Sequence, residues 1–162
     1  MDTLIKRLHT SDKKKREEAF QEIRKLGTPG ADILISMLHN ASDEDRCDAA
    51  WVLLDLNSQA YLDILLQLLK DSSETVRWFL CGALRNVNDD RCIAPLLDII
   101  LYDPSAGVRY LACETIMVIG DYRAIPTLTI VSENDNGQDY EGRTVKEMAL
   151  WAIDEIKKRS FN

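Results

Sequence analysis

Apolar residues recur along this chain with a helical period, inside units that themselves repeat. With Arg16, Arg46, Arg77, Arg109 and Lys146 as unit origins, the intervals are 30, 31, 32 and 37 residues. Three places on stand Ala19, Ala49, Leu80, Ala112 and Ala149; seven on, Ile23, Leu53, Leu84, Ile116 and Ile153; ten on, Leu26, Leu56, Val87, Ile119 and Ile156. Offsets of three, seven and ten share one face of an α-helix, so each origin heads an amphipathic helix. An arginine therefore opens segments as apolar as VRWFLCGAL (76–84) and VRYLACETI (108–116).

The first four helices run into Gly27, Asn57, Asn88 and Gly120, residue types that accept a left-handed C-terminal cap. A second apolar helix follows each turn: ADILISML, YLDILLQLL, IAPLLDIIL and AIPTLTIV. Pro95 and Pro126 fall in its first turn, where a missing N–H is harmless. One helical hairpin cannot bury its faces alone, so the units must stack. The predicted fold class is all-α, an α-solenoid of about five stacked helical hairpins in a single domain spanning 1–162. Residues 1–10 form an N-terminal capping helix, 11–40, 41–71, 72–103 and 104–142 the repeats, and 143–162 a C-terminal capping helix with Lys157, Lys158 and Arg159 on its polar flank.

The D-x5-R element at Asp71–Arg77 and Asp103–Arg109, the alanines and leucines at helical spacing, and the turn GDYRAIP (120–126) resemble the HEAT repeat of the phycobilin-lyase type over essentially the whole chain. Thr10, Asn40 and Tyr140 stand where that pattern has aspartate, and Lys146 where it has arginine. The resemblance implies that Asp71, Arg77, Asp103 and Arg109 form a structural ladder. In it each arginine caps the preceding turn and pairs with the aspartate six residues earlier, its stem packed and its head hydrogen-bonded.

With 162 residues, 46% apolar and 29% charged, the chain has the make-up of a folded globular domain. Its formal charge of −7 is unevenly spread: residues 1–39 carry +2, residues 40–142 carry −11 and residues 143–162 carry +2. Such a field attracts basic partners and repels polyanions, so nucleic acid is not the expected ligand. MDTLIKRLHTSDKKK lacks the apolar core of a signal peptide, and no run reaches transmembrane length. Cys47, Cys81, Cys92 and Cys113 form no CxxC pair, and Cys81 and Cys113 share one slot of consecutive repeats; the expectation is free structural thiols in the cytoplasm. The sequon Asn40-Ala41-Ser42 is then fortuitous.

No constellation for catalysis stands out, and the expectation is a protein that is not an enzyme and carries no cofactor or metal. His9 and His39 sit at helix ends without a cysteine or carboxylate at ligand spacing. Neither a phosphate-binding glycine loop nor GxSxG is present. In SENDNGQDYEG (132–142), setting Gly137 at the sixth loop position puts Ser132 first and Arg143 twelfth, both of which a calcium loop needs as carboxylates. The loop reads instead as a solvated insertion.

Two surfaces are candidates for binding. Offsets one and five of the first helices carry Trp78, Tyr110, Trp51 and Trp151. Exposed, these rings would suit a partner; the expectation is that neighbouring first helices bury them. On the second helices, Asp63, Gln67, Asp98 and Tyr102 break otherwise apolar stretches at nearly one column, edged by acidic turns at 43–45, 71–74, 89–90 and 121. The functional expectation is a protein-binding module, most concretely an acidic inhibitor or immunity-type protein masking a basic partner such as a nuclease toxin, acting as a monomer or weak homodimer. The resemblance to phycobilin-lyase repeats implies an alternative, a lyase-like factor handling a bilin or its carrier protein. A base-excising DNA-repair scaffold would need a basic groove, which the −11 centre opposes.

Overall fold

The computed structural model describes residues 7–8, 12–40, 42–87 and 89–160. Its helices are α1 (Lys13–Leu26), α2 (Thr28–Asn40), α3 (Asp43–Gln67), α4 (Glu74–Ala83), α5 (Ile93–Tyr102), α6 (Ala106–Ile119), α7 (Ile125–Asn134) and α8 (Val145–Ser160). Short 3-10 turns at Leu68–Lys70, Leu84–Asn86, Asp90–Cys92 and Tyr122–Ala124 extend or precede them. The fold class is all-α, an α-solenoid type of stacked hairpins, and among the described residues the only β-pairing is an isolated bridge between Gln138 and Thr144. The chain gathers into two compact units, Met1–Leu65 and Leu66–Asn162.

In the first unit Asp12 caps α1, its carboxylate accepting from the amides of Lys14 and Lys15 at 3.1 and 3.3 Å. Such a cap satisfies amides that the first helical turn leaves without partners. The stripe predicted at offsets three and seven is the core: Ala19, Ile23, Ala49 and Leu53 are wholly buried, joined by Leu34 from α2 and Leu62 from α3. Leu26, at offset ten, is half exposed, so the apolar stripe of α1 ends one turn early. Ion pairs tie α1 to the first half of α3: Arg16 to Glu44 and Asp48, and Arg24 to Asp55 at 2.9 Å. The predicted N-terminal capping helix lies outside the described residues except for Arg7 and Leu8, which are helical. His9 lies outside them as well.

The expected left-handed caps need correction. Gly27 has the positive φ, +64°. Asn57 adopts φ −168°, ψ 93°, an extended kink that separates the two helical halves of α3 without a loop. Gly120 is extended too, at φ −77°. Close approach makes it a glycine: a Cβ there would lie 2.6 Å from the Ile116 carbonyl oxygen. Asn88 lies outside the described residues.

In the second unit α4, α6 and α8 pack side by side as one layer, and α5 and α7 form a second layer against α6 and α8. Leu80, Leu84, Ala112, Ile116, Ala149 and Ile156 supply the first layer's buried stripe, and Leu96, Ile100 and Leu128 answer from the second. Thr115, wholly buried on α6, donates its hydroxyl to the Cys81 carbonyl on α4 at 2.8 Å, so the layer is also stitched by a satisfied polar contact.

Candidate interaction surface

The arginines that head the helices of the second unit are structural, but their partners differ from those the resemblance implied. Arg77 Nη1 donates to the main-chain carbonyls of Asp71 and Ser72 at 2.8 and 3.2 Å. Its carboxylate partner is Asp103, 26 residues later, met at 2.6 and 3.1 Å in a two-pronged pair. Arg109 repeats the arrangement, with the Asp103 carbonyl at 2.7 Å and the Asp135 carboxylate at 2.6 and 3.0 Å. The aspartate six residues earlier thus lends its carbonyl, and the carboxylate comes from the turn that closes the same hairpin. This geometry places the guanidinium fork where the turns at both ends of the hairpin can be held at once. Each aspartate also fixes its own turn, Asp71, Asp103 and Asp135 accepting from the amides of Ser73, Ser105 and Gly137. The hydrogen-bonded carboxylates hold Arg77 and Arg109 still more firmly protonated than usual.

Asp135 is the rung that sequence reading missed, since Tyr140 was set in its place. The signal was present: Asp71, Asp103 and Asp135 recur at a constant spacing of 32 residues. The extra residues therefore lie after the rung, between Asp135 and α8. They are not simply a solvated insertion. Asp139 accepts from the amides of Glu141 and Arg143 and pairs with the Arg143 guanidinium at 2.6 Å. Arg143 lies 4.6 Å over the Tyr110 ring. Tyr140 donates its hydroxyl to Glu74, which also accepts from Ser105 at 2.7 Å, and these two bonds hold the Glu74 carboxyl below the usual range. Thr144 then caps α8 reciprocally with Glu147. Ser132, the residue whose lack of a carboxylate ruled out the calcium alignment, is buried inside α7 and bonded to the Thr129 carbonyl.

The acidic turns are mostly engaged by arginines. Asp89 pairs with Arg91, and Arg123 bridges Asp121 and Asp90, at 2.7 and 2.8 Å. In the first unit Asp43 meets Arg46 at 3.0 Å. Such turns project little uncompensated charge. On the second helices the balance differs. Asp98 and Tyr102 stand exposed one turn apart on α5, and the Asp98 carboxylate has no hydrogen bond or ion pair among the described residues. Ile130 and Asn134 hold the same offsets on α7 and are exposed as well. Gln67, at the end of α3, is exposed; Asp63 is exposed in the first unit.

The aromatic residues separate into two groups. Tyr110 is buried at 9% exposure beneath Arg143, as expected of a ring between neighbouring helices. Trp51, Trp78 and Trp151 are instead 50%, 45% and 55% exposed, against the expectation that packing would cover them. Ala50 and Arg77, which precede Trp51 and Trp78, are buried, and each indole lies past the edge of the arc that its neighbours cover.

Among the described residues the thiols are suppressed by burial. All four cysteines are buried. Burial pushes the Cys81 thiol up to about 12 and Cys92 up to about 11, and raises Cys113 as well. At neutral pH these are inert thiols, not nucleophiles. His39 is exposed at the end of α2. Among the described residues no group of three or more His, Cys, Asp or Glu side chains is placed to hold a metal ion. No described helix is long and apolar enough to cross a membrane.

Comparison with known proteins agrees with this construction. The family model for HEAT repeats matches residues 31–105 and again 62–153. A crystal structure of an engineered protein from the Northeast Structural Genomics Consortium is similar in fold, with 20% identity, a TM-score of 0.56, and coverage of 97% of this chain and 79% of that one. No curated protein matches the chain.

Proposed function

Because this chain belongs to the HEAT-repeat family, whose stacked hairpins serve as scaffolds for binding other proteins, we propose that it is a non-catalytic binding module, an acidic inhibitor of the immunity type that masks a basic partner such as a nuclease toxin. The observation that carries this reading is the exposed face of α5. There an unengaged carboxylate, Asp98, stands one turn from an exposed Tyr102, while the turn aspartates around it are tied to arginines. An acidic residue with no internal task beside an aromatic ring is the pairing that a cationic hot spot on a partner complements. Gln67 lends a neutral hydrogen-bonding group, and Asp63 adds negative charge on the first unit. The net −11 over residues 40–142 supplies the long-range attraction. Buried thiols accord with a cytoplasmic setting. The GDYRAIP turn supports the phycobilin-lyase type of repeat as the subtype.

The test is binding to a panel of purified cationic proteins, nucleases among them, at low and at moderate salt. Wild type would be compared with a Asp63→Lys/Asp98→Lys variant of unchanged helical content. A nuclease bound and inhibited by the wild type, released by the variant and weakened by salt, supports the reading. Equal retention by both forms removes Asp63 and Asp98 from consideration.

A further inference from the structure

On α4 and α6 the residue four places after the ladder arginine is Cys81 or Cys113, each with 0% exposure. The next helix of the layer covers the first of them, Thr115 reaching the Cys81 carbonyl. The same place on α8 is Leu150, which is 50% exposed, followed by the exposed Trp151. Both lie on the side of α8 away from Ala149, Ala152 and Ile156, which are buried against the rest of the unit. Glu147, Asp154 and Lys158 continue the same exposed stripe at helical spacing. Leu150 is therefore an exposed version of a slot that is buried on α4 and α6, Trp151 adds an exposed indole beside it, and the stripe's charges run from negative at the N-terminal end to positive at the C-terminal end.

We propose that this stripe is a self-association surface, on which α8 of a second copy lies antiparallel. A two-fold interface sets residue i against j and j against i, so a stripe binds itself only when its ends complement each other on reversal. Reversal does this on α8. Glu147 comes opposite Lys158 of the second copy, and Lys158 opposite its Glu147, while the indoles of Trp151 and the Leu150 side chains close the middle. A parallel arrangement would place like charges together, and an antiparallel one centred on Leu150 and Trp151 would set Glu147 against Asp154. Charge therefore selects both the orientation and the register. The opposed helix macrodipoles favour the same arrangement. The stripe has no excess of negative charge comparable to the rest of the chain, so the cationic partner proposed above is not what it selects. Lys158 already bridges Asp154 and Glu155 at 2.6 and 2.8 Å, so the intermolecular pair joins an existing network. One helix face is a small interface, and the dimer is weak.

Sedimentation equilibrium of the full chain over a wide concentration range tests this. Wild type should approach twice the monomer mass at high concentration, and Trp151→Glu should stay monomeric with an unchanged circular dichroism spectrum. Glu147→Lys and Lys158→Glu should each lose self-association at least tenfold. An equimolar mixture of those two variants should recover it, because both intermolecular pairs are then of opposite sign. Monomeric wild type at every concentration overturns the proposal, as does a dimer indifferent to Trp151→Glu or a mixture that fails to associate. If Trp151→Glu releases a cationic partner while self-association persists, the stripe serves that partner and the proposal also falls.

Discussion

Removing the Asp103 carboxylate should be among the most damaging single changes available in the second unit. The pair with Arg77 is two-pronged, at 2.6 and 3.1 Å, and its side chains are 1% and 10% exposed. Asp103→Ala would leave a buried guanidinium with only the Asp71 and Ser72 carbonyls, and would free the Ser105 amide from its turn. Breaking a buried pair by removing one partner costs about 3–5 kcal/mol, a large part of the roughly 5–15 kcal/mol that holds a domain folded. With a urea slope of about 2 kcal/mol per molar, the midpoint should fall by roughly 2 M. Urea unfolding followed by circular dichroism reads this directly. Asp90→Ala is the internal control: it breaks a pair of the same chemistry, with Arg123 at 2.8 Å, but its carboxylate is 80% exposed, and the midpoint should not move measurably. Replacing both Arg77 and Asp103 by leucine should cost less than the two single replacements added together, since no lone charge is left behind. Equal effects of Asp103→Ala and Asp90→Ala, or strict additivity in the double variant, would refute the ladder as a buried, cooperative element.

Acid should act through the next rung. Burial opposes the charge on Asp135, but Arg109 and the Gly137 amide outweigh it and hold its carboxyl below the usual range. A depressed folded value means that its stabilisation is complete above the unfolded value of about 3.9 and is lost as pH falls through it toward the folded one. The urea midpoint should therefore decline below about pH 4, and Asp135→Asn should be weaker at neutral pH with a shallower acid slope; an unchanged slope would speak against the pairing. Thiol labelling offers a second check. Cys81, Cys92 and Cys113 should resist iodoacetamide at pH 8 and react fully in urea, and fast native labelling of any of them would contradict their burial. Gly137→Ala places a Cβ 2.6 Å from Arg109 Nη2 and 2.8 Å from the Ala106 Cβ, so the rung and α6 must shift, at about 1–3 kcal/mol. A melting temperature equal to wild type would show that the loop can yield without loss.

Helix positions and the buried stripe were legible in the sequence because they depend on local periodicity. Ala19, Ile23, Leu80, Leu84, Ala112 and Ile116 face the core wherever helical spacing puts them, and the caps at Asp12 and Thr144 follow from a side chain and an amide three residues apart or fewer. The ladder was legible as a recurring arginine but not as a set of pairs. Asp71 and Asp103 look equivalent in the sequence, and six residues is the shorter path to Arg77. Only the return of the chain through α5 brings Asp103, 26 residues on, to the guanidinium and leaves Asp71 to offer a carbonyl. The same holds for Tyr140, which meets Glu74 across 66 residues, and for the tryptophans, whose exposure depends on which flank of a helix its neighbour covers. Periodicity states which residues share a face. Which of two like groups a charge selects, and which rings remain uncovered, is set by how closely separate turns are brought together, and that distance exists only in the folded stack.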